Sequence, residues 1–191
     1  MQSTPQEILE ISTIQDAQKA VSIANKNKTP ITTVGSTHSH SRLIQNNTGI
    51  IIRTDQLKGK VTINKSEKIA TLSSGMKLKE AAKLLWDKGY AFSNQGDVDV
   101  QSIAGLIGTG VHGTGITHPS ISSHVKDATI ITSTGDIIKA SENKAVLEAT
   151  RLNLGAIGLI MDVTFAVVPI FFLHEQTCLL YTSDAADEST C

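Results

Sequence analysis

The residues best placed to bind an anionic ligand lie between Gly105 and Gly115, where the chain reads G-L-I-G-T-G-V-H-G-T-G. Glycine loses more backbone entropy on folding than any other residue, so five glycines in eleven positions need a local reason. One such reason is a backbone that approaches a bulky anion and offers it N–H groups. Ser102, Thr109 and Thr114 add hydroxyl donors. The pattern predicts a diphosphate-binding segment; the alternative is a tightly packed turn without a ligand.

A match to the G-x-G-x-x-G fingerprint of Rossmann folds begins at Gly108. That fold requires a strand before the first glycine and a helix that begins at the last. The apolar residues before Gly108 are interrupted by Gly105, and Gly115 and Pro119 stand where the helix interior would run. We therefore reject the Rossmann interpretation and expect residues 97–119 to form a long loop.

A second cluster of small polar residues, T-V-G-S-T-H-S-H-S, begins at Thr33. Its candidate phosphate donors are Gly35, Ser36, Thr37 and Ser39. His38 lies among them, and by itself a histidine in this setting is more often an ordinary loop residue than a chemical group. His38 and His40 could form a metal pair, but no carboxylate or cysteine cluster completes a coordination set. We expect no metal site.

Hydrophobic periodicity places these loops between regular elements. We expect helices over residues 12–27, 77–88 and 144–152, and strands over residues 31–34, 49–54, 61–64, 69–72, 127–132, 137–140 and 160–168. Gly89 is expected to end the second helix in a left-handed conformation. The pattern predicts two lobes that mix helices and strands, with the glycine-rich stretch between them.

Composition excludes several classes of protein. The 191 residues are 40% hydrophobic and carry a formal net charge of -1, so the basic face of a nucleic-acid-binding protein is not expected. The sequence contains neither a long apolar run typical of a transmembrane helix nor a secretory signal pattern. Its two cysteines, Cys178 and Cys191, both lie near the C-terminus, which argues against a disulfide framework. We expect a cytoplasmic protein.

Three segments, in their order and spacing, resemble the vanillyl-alcohol oxidase family, whose flavin domain is called PCMH-type. They are V-G-S-T-H-S-H-S, N-Q-G-D-V-D-V-Q-S-I-A-G-L-I-G-T-G-V-H-G-T-G and L-N-L-G-A-I-G-L-I. The middle segment is most similar to the sugar-lactone oxidase branch, which includes L-gulonolactone and D-arabinono-1,4-lactone oxidases, with alditol oxidases close by. The resemblance covers residues 8–176. It implies an α+β fold with lobes at about residues 8–56 and 57–176 and with FAD between them.

The resemblance also implies which residues contact FAD. His38 occupies the position of the motif's histidine and is the implied site of covalent attachment, while Thr37 stands where many members have glycine. The implied cofactor contacts are Val34, Gly35, Ser36, Thr37, His38 and Ser39 in the first loop, Ser102, Gly105, Thr109, His112, Gly113 and Thr114 in the second, and Gly158 and Ile160 near the adenine. For His112, the residue pattern favours a structural role over a position beside the flavin.

The implied reaction is oxidation of a CH–OH group of a sugar lactone or polyol, with oxygen or another carrier as electron acceptor. The catalytic residues are expected in a C-terminal cap domain that begins near residues 170–176. Because that domain is expected to lie mostly outside this chain, the chain alone is expected to be inactive. Residues 177–191 break the preceding pattern and are expected to be a non-native tail; the alternative is a short polar terminus. Two alternatives remain: a non-covalent FAD reductase of the same fold that uses NADPH, and a non-catalytic module that binds phosphate or a nucleotide.

Overall fold

The computed structural model describes residues 3–39, 42–57 and 61–176. The first lobe contains strand β1 (Glu7–Glu10), helix α1 (Ile14–Asn27), strand β2 (Ile31–Val34) and strand β3 (Ile50–Arg53). The three strands form a parallel sheet in the order β1-β3-β2, so β2 lies at one edge. Thr13 and Asp16 form a reciprocal capping box at the start of α1.

The second lobe is built on a five-stranded antiparallel sheet in the order β4-β5-β9-β7-β8. Its strands are β4 (Thr62–Asn64), β5 (Ile69–Ser73), β7 (Val125–Ile131), β8 (Ile137–Lys139) and β9 (Leu159–Ala166). The short strands β6 (Tyr90–Ala91) and β10 (Val168–Pro169) pair with each other. Helices α2 (Leu78–Trp86), α3 (Ile103–Gly108) and α4 (Lys144–Thr150) complete the lobe.

Two clusters of buried side chains hold the fold together. The larger lies between the five-stranded sheet and helices α2 and α3, and in it the rings of Phe92 and Phe165 meet edge to face with centroids 5.4 Å apart. The smaller combines the apolar face of α1 with Ile131, Leu159 and Met161 of the second lobe. Because the second cluster draws on both lobes, hydrophobic burial fixes them against each other.

The α+β prediction is confirmed, and most elements lie within a few residues of their expected positions. Gly89 has a φ of +84°, as its position after α2 predicted. The expectation of loop over residues 97–119 is wrong, because α3 lies within that stretch. Ile103, Leu106 and Ile107 recur at helical spacing and are fully buried, which outweighs the helix-weakening effect of the glycines.

Two further differences concern strands and the rejected fingerprint. β1 and β6 were not expected from the sequence, and the predicted strand 160–168 is divided into β9 and the two-residue β10. Helix α3 ends at Gly108, the first glycine of the fingerprint, whereas a Rossmann helix begins at the last one. Within the part of the chain that the structure describes, no helix has the length and apolar character needed to cross a membrane.

Candidate functional site

A cleft of about 480 Å³ lies where the end of β2 faces helix α3. The first lobe contributes the residues from Ile31 to Ser39, together with a short 3-10 turn at Arg42–Ile44 of which Leu43 and Ile44 line the cleft. The second lobe contributes residues of the stretch from Gln101 to Thr109 and of the segment before β9. The cleft therefore collects residues of both glycine-containing loops and of both lobes.

The first loop leaves the edge of the parallel sheet at a fixed point. The carbonyl of Val34, the last residue of β2, accepts hydrogen bonds from the Thr54 backbone N–H at 3.1 Å and from the Thr54 hydroxyl at 3.2 Å. Thr54 is itself buried and follows β3 directly. The loop from Gly35 to Ser39 therefore starts from a well-anchored strand end and runs along the cleft.

Helix α3 is held by backbone hydrogen bonds to the segment before α2. The N–H groups of Ile103 and Ala104 donate to the carbonyls of Met76 and Ser74, each at 2.9 Å. The Gln101 carbonyl accepts from the backbone N–H of Leu78 at 2.8 Å. These two N–H groups of the helix are thus occupied within the protein, which fixes the start of α3.

The two lobes touch at Gly35 and Ser102. A Cβ added to Gly35 would overlap the Ser102 hydroxyl and lie 2.8 Å from the Ser102 Cβ. Ser102 is only 4% exposed and sits just before α3. Glycine is therefore required at position 35 by the close approach of the first loop to the second lobe, which sets the width of the cleft at this point.

A third wall of the cleft comes from the turn between α4 and β9. The Leu154 backbone N–H donates to the Gly108 carbonyl at 3.1 Å, which joins this turn to α3. Leu154, Gly155 and Gly158 all have positive φ, of 49°, 83° and 122°. A Cβ on Gly158 would collide with the Ile131 carbonyl, so glycine is needed where the turn enters β9.

The structure brings most of the predicted contact residues to this cleft. Those that line it are Val34, Gly35, Ser36, Thr37, His38, Ser39, Ser102, Gly105, Thr109, Gly158 and Ile160. His112, Gly113 and Thr114 are not among the lining residues. A Cβ at Gly113 would collide with Asn94 and Gln95, so close packing explains that glycine without a ligand. Nδ1 of His112 lies 2.9 Å from the Gly113 carbonyl, a local contact that fits the structural role favoured for it.

Several lining residues were not identified from the sequence: Thr54, Gln101, Asn153, Leu154 and Gly155. Thr54 ends a predicted strand and reaches the cleft only through tertiary packing, while Gln101 lies in the middle segment of the resemblance but was not predicted as a contact. The N-x-G arrangement from Asn153 to Gly155 is a recognisable turn signal that could have marked this wall. His40, considered for a metal pair, and the predicted tail at 177–191 lie outside the described residues. Among the residues that the structure does describe, no three His, Cys, Asp or Glu side chains cluster to hold a metal ion.

The chemistry of the lining suits an anionic, partly apolar ligand. Among the described lining residues there is no Asp, Glu, Lys or Arg, and His38 is the sole residue with an ionisable side chain. No carboxylate would therefore repel a diphosphate, while Ser and Thr hydroxyls can donate to one. The Gln101 side-chain oxygen is buried with no hydrogen-bond partner within the described part of the chain. A buried acceptor of this kind gains from a ligand that donates to it.

Comparison with known proteins adds an independent line of evidence. The sequence profile of a family described as FAD binding domain matches residues 5–141. The L-gulonolactone oxidase of Scyliorhinus torazame is 31% identical over 174 residues, which cover 90% of this chain and 39% of that protein. The D-arabinono-1,4-lactone oxidase of Kluyveromyces lactis is 34% identical over 173 residues, covering 87% of this chain and 33% of that one. The L-gulono-1,4-lactone dehydrogenase of Mycobacterium tuberculosis is 30% identical over 187 residues, covering 96% and 43%.

The chain thus spans less than half the length of these relatives. Among solved structures, a Physcomitrella patens BBE-like 1 protein superposes with a TM-score of 0.79 at 21% identity, covering 86% of this chain and 37% of that one. This likeness concerns the fold. FAD has a diphosphate between two ring systems, and the cleft offers hydroxyl groups and apolar side chains without an opposing carboxylate. The profile match and the lining agree: this chain belongs to the FAD binding domain family, and FAD is its cofactor.

Proposed function

We propose that this chain is the cofactor-holding part of an oxidoreductase that oxidises a CH–OH group of a sugar lactone or an alditol. The observation that carries the proposal is the cleft itself, in which the first loop faces helix α3 and its flanking residues. The sequence singled out both segments independently for phosphate binding. The names of the relatives, two lactone oxidases and a lactone dehydrogenase, support the substrate class.

In this proposal the residues of the cleft bind and orient the cofactor. Gly35 and Gly158 allow the backbone walls to come close, while Ser36 and Ser39 bring hydroxyl groups to the cleft. The Thr109 hydroxyl already donates to the Gly105 carbonyl at 3.0 Å, so in this proposal Thr109 meets the cofactor as an acceptor. Gln101 accepts a hydrogen bond with its unpartnered side-chain oxygen. FAD supplies the electron-accepting chemistry, and the protein supplies its position and electrostatic surroundings. His112, Gly113 and Thr114 would then act on the cleft only through the packing of their loop.

We also propose that His38 bonds covalently to the flavin ring. His38 is an exposed residue of the first loop and lines the cleft. The test is acid precipitation of the purified chain, followed by measurement of flavin fluorescence in the pellet. We expect the unsubstituted chain to keep flavin in the pellet and H38A to release it to the supernatant.

The matched control for H38A is H112A. His112 is also an exposed histidine of a glycine-containing loop, but it does not line the cleft. We expect H112A to retain flavin in the acid pellet. Flavin that is fully soluble after precipitation of the unsubstituted chain would disprove the covalent link while leaving FAD binding intact.

The substrate class is tested on a protein that contains this chain together with the remainder found in its relatives. We expect L-gulono-1,4-lactone, D-arabinono-1,4-lactone or an alditol to bleach the flavin absorbance anaerobically, and NADPH to leave it unchanged. Bleaching by NADPH alone would favour the reductase alternative. A chain that binds no flavin in any preparation would favour a non-catalytic module.

The remaining elements of the proposal concern parts that the cleft does not contain. We place the proton-accepting residue in a cap domain outside the FAD-binding domain, so the 191-residue chain alone should not turn over a lactone. We propose oxygen as the electron acceptor, although one relative is named a dehydrogenase. Oxygen consumption during lactone oxidation, measured with and without an artificial electron acceptor, distinguishes an oxidase from a dehydrogenase. We propose a cytoplasmic location because residues 1–177 contain no cysteine, which cell fractionation can check.

A further inference from the structure

The turn between α4 and β9 is organised by one buried side chain, that of Asn153. Its Oδ1 accepts a hydrogen bond from the Gly155 backbone N–H at 2.7 Å, and its Nδ2 donates to the Thr150 carbonyl at 2.8 Å. The Asn153 carbonyl also accepts from the Ala156 N–H at 2.8 Å. Asn153 is 8% exposed. It therefore ties the last residue of α4 to the glycine turn that follows.

The same residue lies against the glycine-rich helix. A Cβ built on Gly108 would be 3.4 Å from Asn153 Oδ1 and 3.6 Å from Nδ2, so the amide packs on the bare face of that glycine. The next residue, Leu154, donates its backbone N–H to the Gly108 carbonyl. Asn153, Leu154, Gly155 and Gly108 all line the cleft. The Asn153 side chain is thus the point at which α4, the turn and α3 meet.

The hydrogen bonds also maintain a backbone shape that the sequence does not favour by itself. Leu154 has a φ of 49°, a conformation that costs a residue with a Cβ about 1–2 kcal/mol. The Asn153-to-Gly155 hydrogen bond is an Asx-turn, which offsets this cost by fixing the residue between them. Without the Asn153 amide, Leu154 would be expected to relax towards negative φ and shift the third wall of the cleft.

We propose that Asn153 is a positioning residue for the dinucleotide: it holds the wall formed by residues 154–158 at the distance from α3 that the cofactor requires. This inference rests on the proposed function of the cleft. In it, Asn153 supports cofactor binding by ordering the backbone of the turn. Among the described residues its amide has one N–H without a protein partner, so direct donation to the ligand is compatible with this role.

The test compares N153A with N46A in the 191-residue chain, prepared free of flavin from a riboflavin-starved host. Asn46 is similarly buried, at 6% exposure, and its amide bonds the Gly49 N–H at 2.7 Å and the carbonyls of Pro30 and Ile50 at 3.2 Å. It does not line the cleft. Calorimetric titration with ADP measures affinity without any bond to His38, titration with FAD repeats it for the whole cofactor, and thermal unfolding measures stability.

We expect N153A to bind ADP and FAD at least tenfold more weakly than the unsubstituted chain. N46A should lower the unfolding temperature at least as much as N153A but change either affinity less than twofold. N153S can keep the acceptor for Gly155 and should fall between the two, about threefold weaker than the unsubstituted chain, which carries the test if N153A does not fold.

Two results would overturn the positioning role alone: ADP and FAD affinities of N153A or N153S equal to those of the unsubstituted chain, or an equal loss of affinity in N46A. If the unsubstituted chain binds neither ADP nor FAD, the proposed function of the cleft fails and takes this inference with it. Failure of the proposed function is therefore seen in the unsubstituted chain, and failure of the positioning role is seen in the variants.

Discussion

The contact between Gly35 and Ser102 predicts a specific steric penalty and a specific way to remove it. In G35A the new methyl group would overlap the Ser102 hydroxyl and lie 2.8 Å from the Ser102 Cβ, closer than real Cβ contacts. Gly35 is not among the glycines of positive φ, so the cost is one of packing and not of backbone conformation. The first loop and α3 must then move apart, or Ser102 must shift from its buried position.

The magnitude follows from overpacking, which costs about 1–3 kcal/mol in a well-packed site. The Gly-to-Ala change offsets about 0.4–1 kcal/mol of this by restricting the unfolded chain. The two ranges leave a net cost between about 0 and about 2.6 kcal/mol. Since the overlap involves the Ser102 Cβ as well as its hydroxyl, we expect G35A to lose about 1–2 kcal/mol of unfolding free energy. For a domain of this size that corresponds to a fall in unfolding temperature of roughly 2–8 °C.

The second substitution, S102G, removes both atoms that the methyl group would meet. The nearest remaining atom is the Thr54 hydroxyl oxygen at 3.8 Å, an ordinary van der Waals distance. Ser102 makes no side-chain capping hydrogen bond to α3, so S102G alone should cost only a few tenths of a kcal/mol. We expect G35A/S102G to be slightly more stable than S102G, by about 0.4–1 kcal/mol, because the restriction of the unfolded chain remains when the overlap is gone. The coupling energy then equals the overpacking cost of about 1–3 kcal/mol.

The assay is equilibrium urea denaturation of the four chains of this double-mutant cycle. G135A is the control, because Gly135 lies in the β7–β8 turn with a φ of +91° and open space around its would-be Cβ. Its cost is conformational, so G135A and S102G should add without coupling. Additive effects of G35A and S102G, or a G35A chain as stable as the unsubstituted one, would refute the assigned contact between the lobes.

Two further predictions concern a strained residue and a titrating one. Thr37 is β-branched and has a φ of 52°, which strains its backbone. T37G should therefore raise the free energy of unfolding by about 0.5–1 kcal/mol, seen as a slightly higher unfolding temperature, whereas T37A should give no gain. Equal effects of the two substitutions would argue against strain. Burial, followed by the charges of Lys126 and His118, lowers the pKa of His124 below its usual 6.5, and its Nε2 lies 2.9 Å from the Ser93 hydroxyl. The unfolded chain therefore binds the proton more readily, so the free energy of unfolding should fall as the pH drops through about 6.5. Urea denaturation at about pH 8 and at about pH 5 measures this loss of stability, which should be smaller in H124Q. An unchanged pH dependence in H124Q would mean that other groups cause it.

The sequence predicted the elements whose periodicity is set locally. Helix α1 has alanines and Val21 at helical spacing and a capping threonine, and both signals act within one turn of the chain. The strand Ile31–Val34 was likewise predicted to the residue. Helix α3 was missed because its glycine content argues against a helix locally, while its burial against the sheet is a property of the whole fold.

In the candidate site, too, residues in local patterns were predicted and residues placed by tertiary packing were not. The two loops carried small residues and a histidine in recognisable patterns, so most of their lining residues were expected. Thr54 and Gln101 could not be predicted as lining residues, because only the folded chain brings them together. Thr54 follows the central strand β3, and Gln101 precedes α3. Gly113, a glycine of the expected run, does not line the cleft, and a Cβ added to it would collide with Asn94 and Gln95. Its contact with the cofactor stays a prediction.

The cluster that joins α1 to Ile131, Leu159 and Met161 has a consequence for how the cofactor is gained and lost. A hinge motion that separates the lobes would expose this shared apolar cluster to water. Such a motion costs free energy, so it is not an easy route for a ligand to enter. Entry must use the mouth that the cleft already has, or precede the last step of folding. Before the proposed bond to His38 forms, a cofactor held across both lobes raises the free energy of unfolding with the logarithm of its free concentration. Once that bond has formed, the free concentration no longer matters.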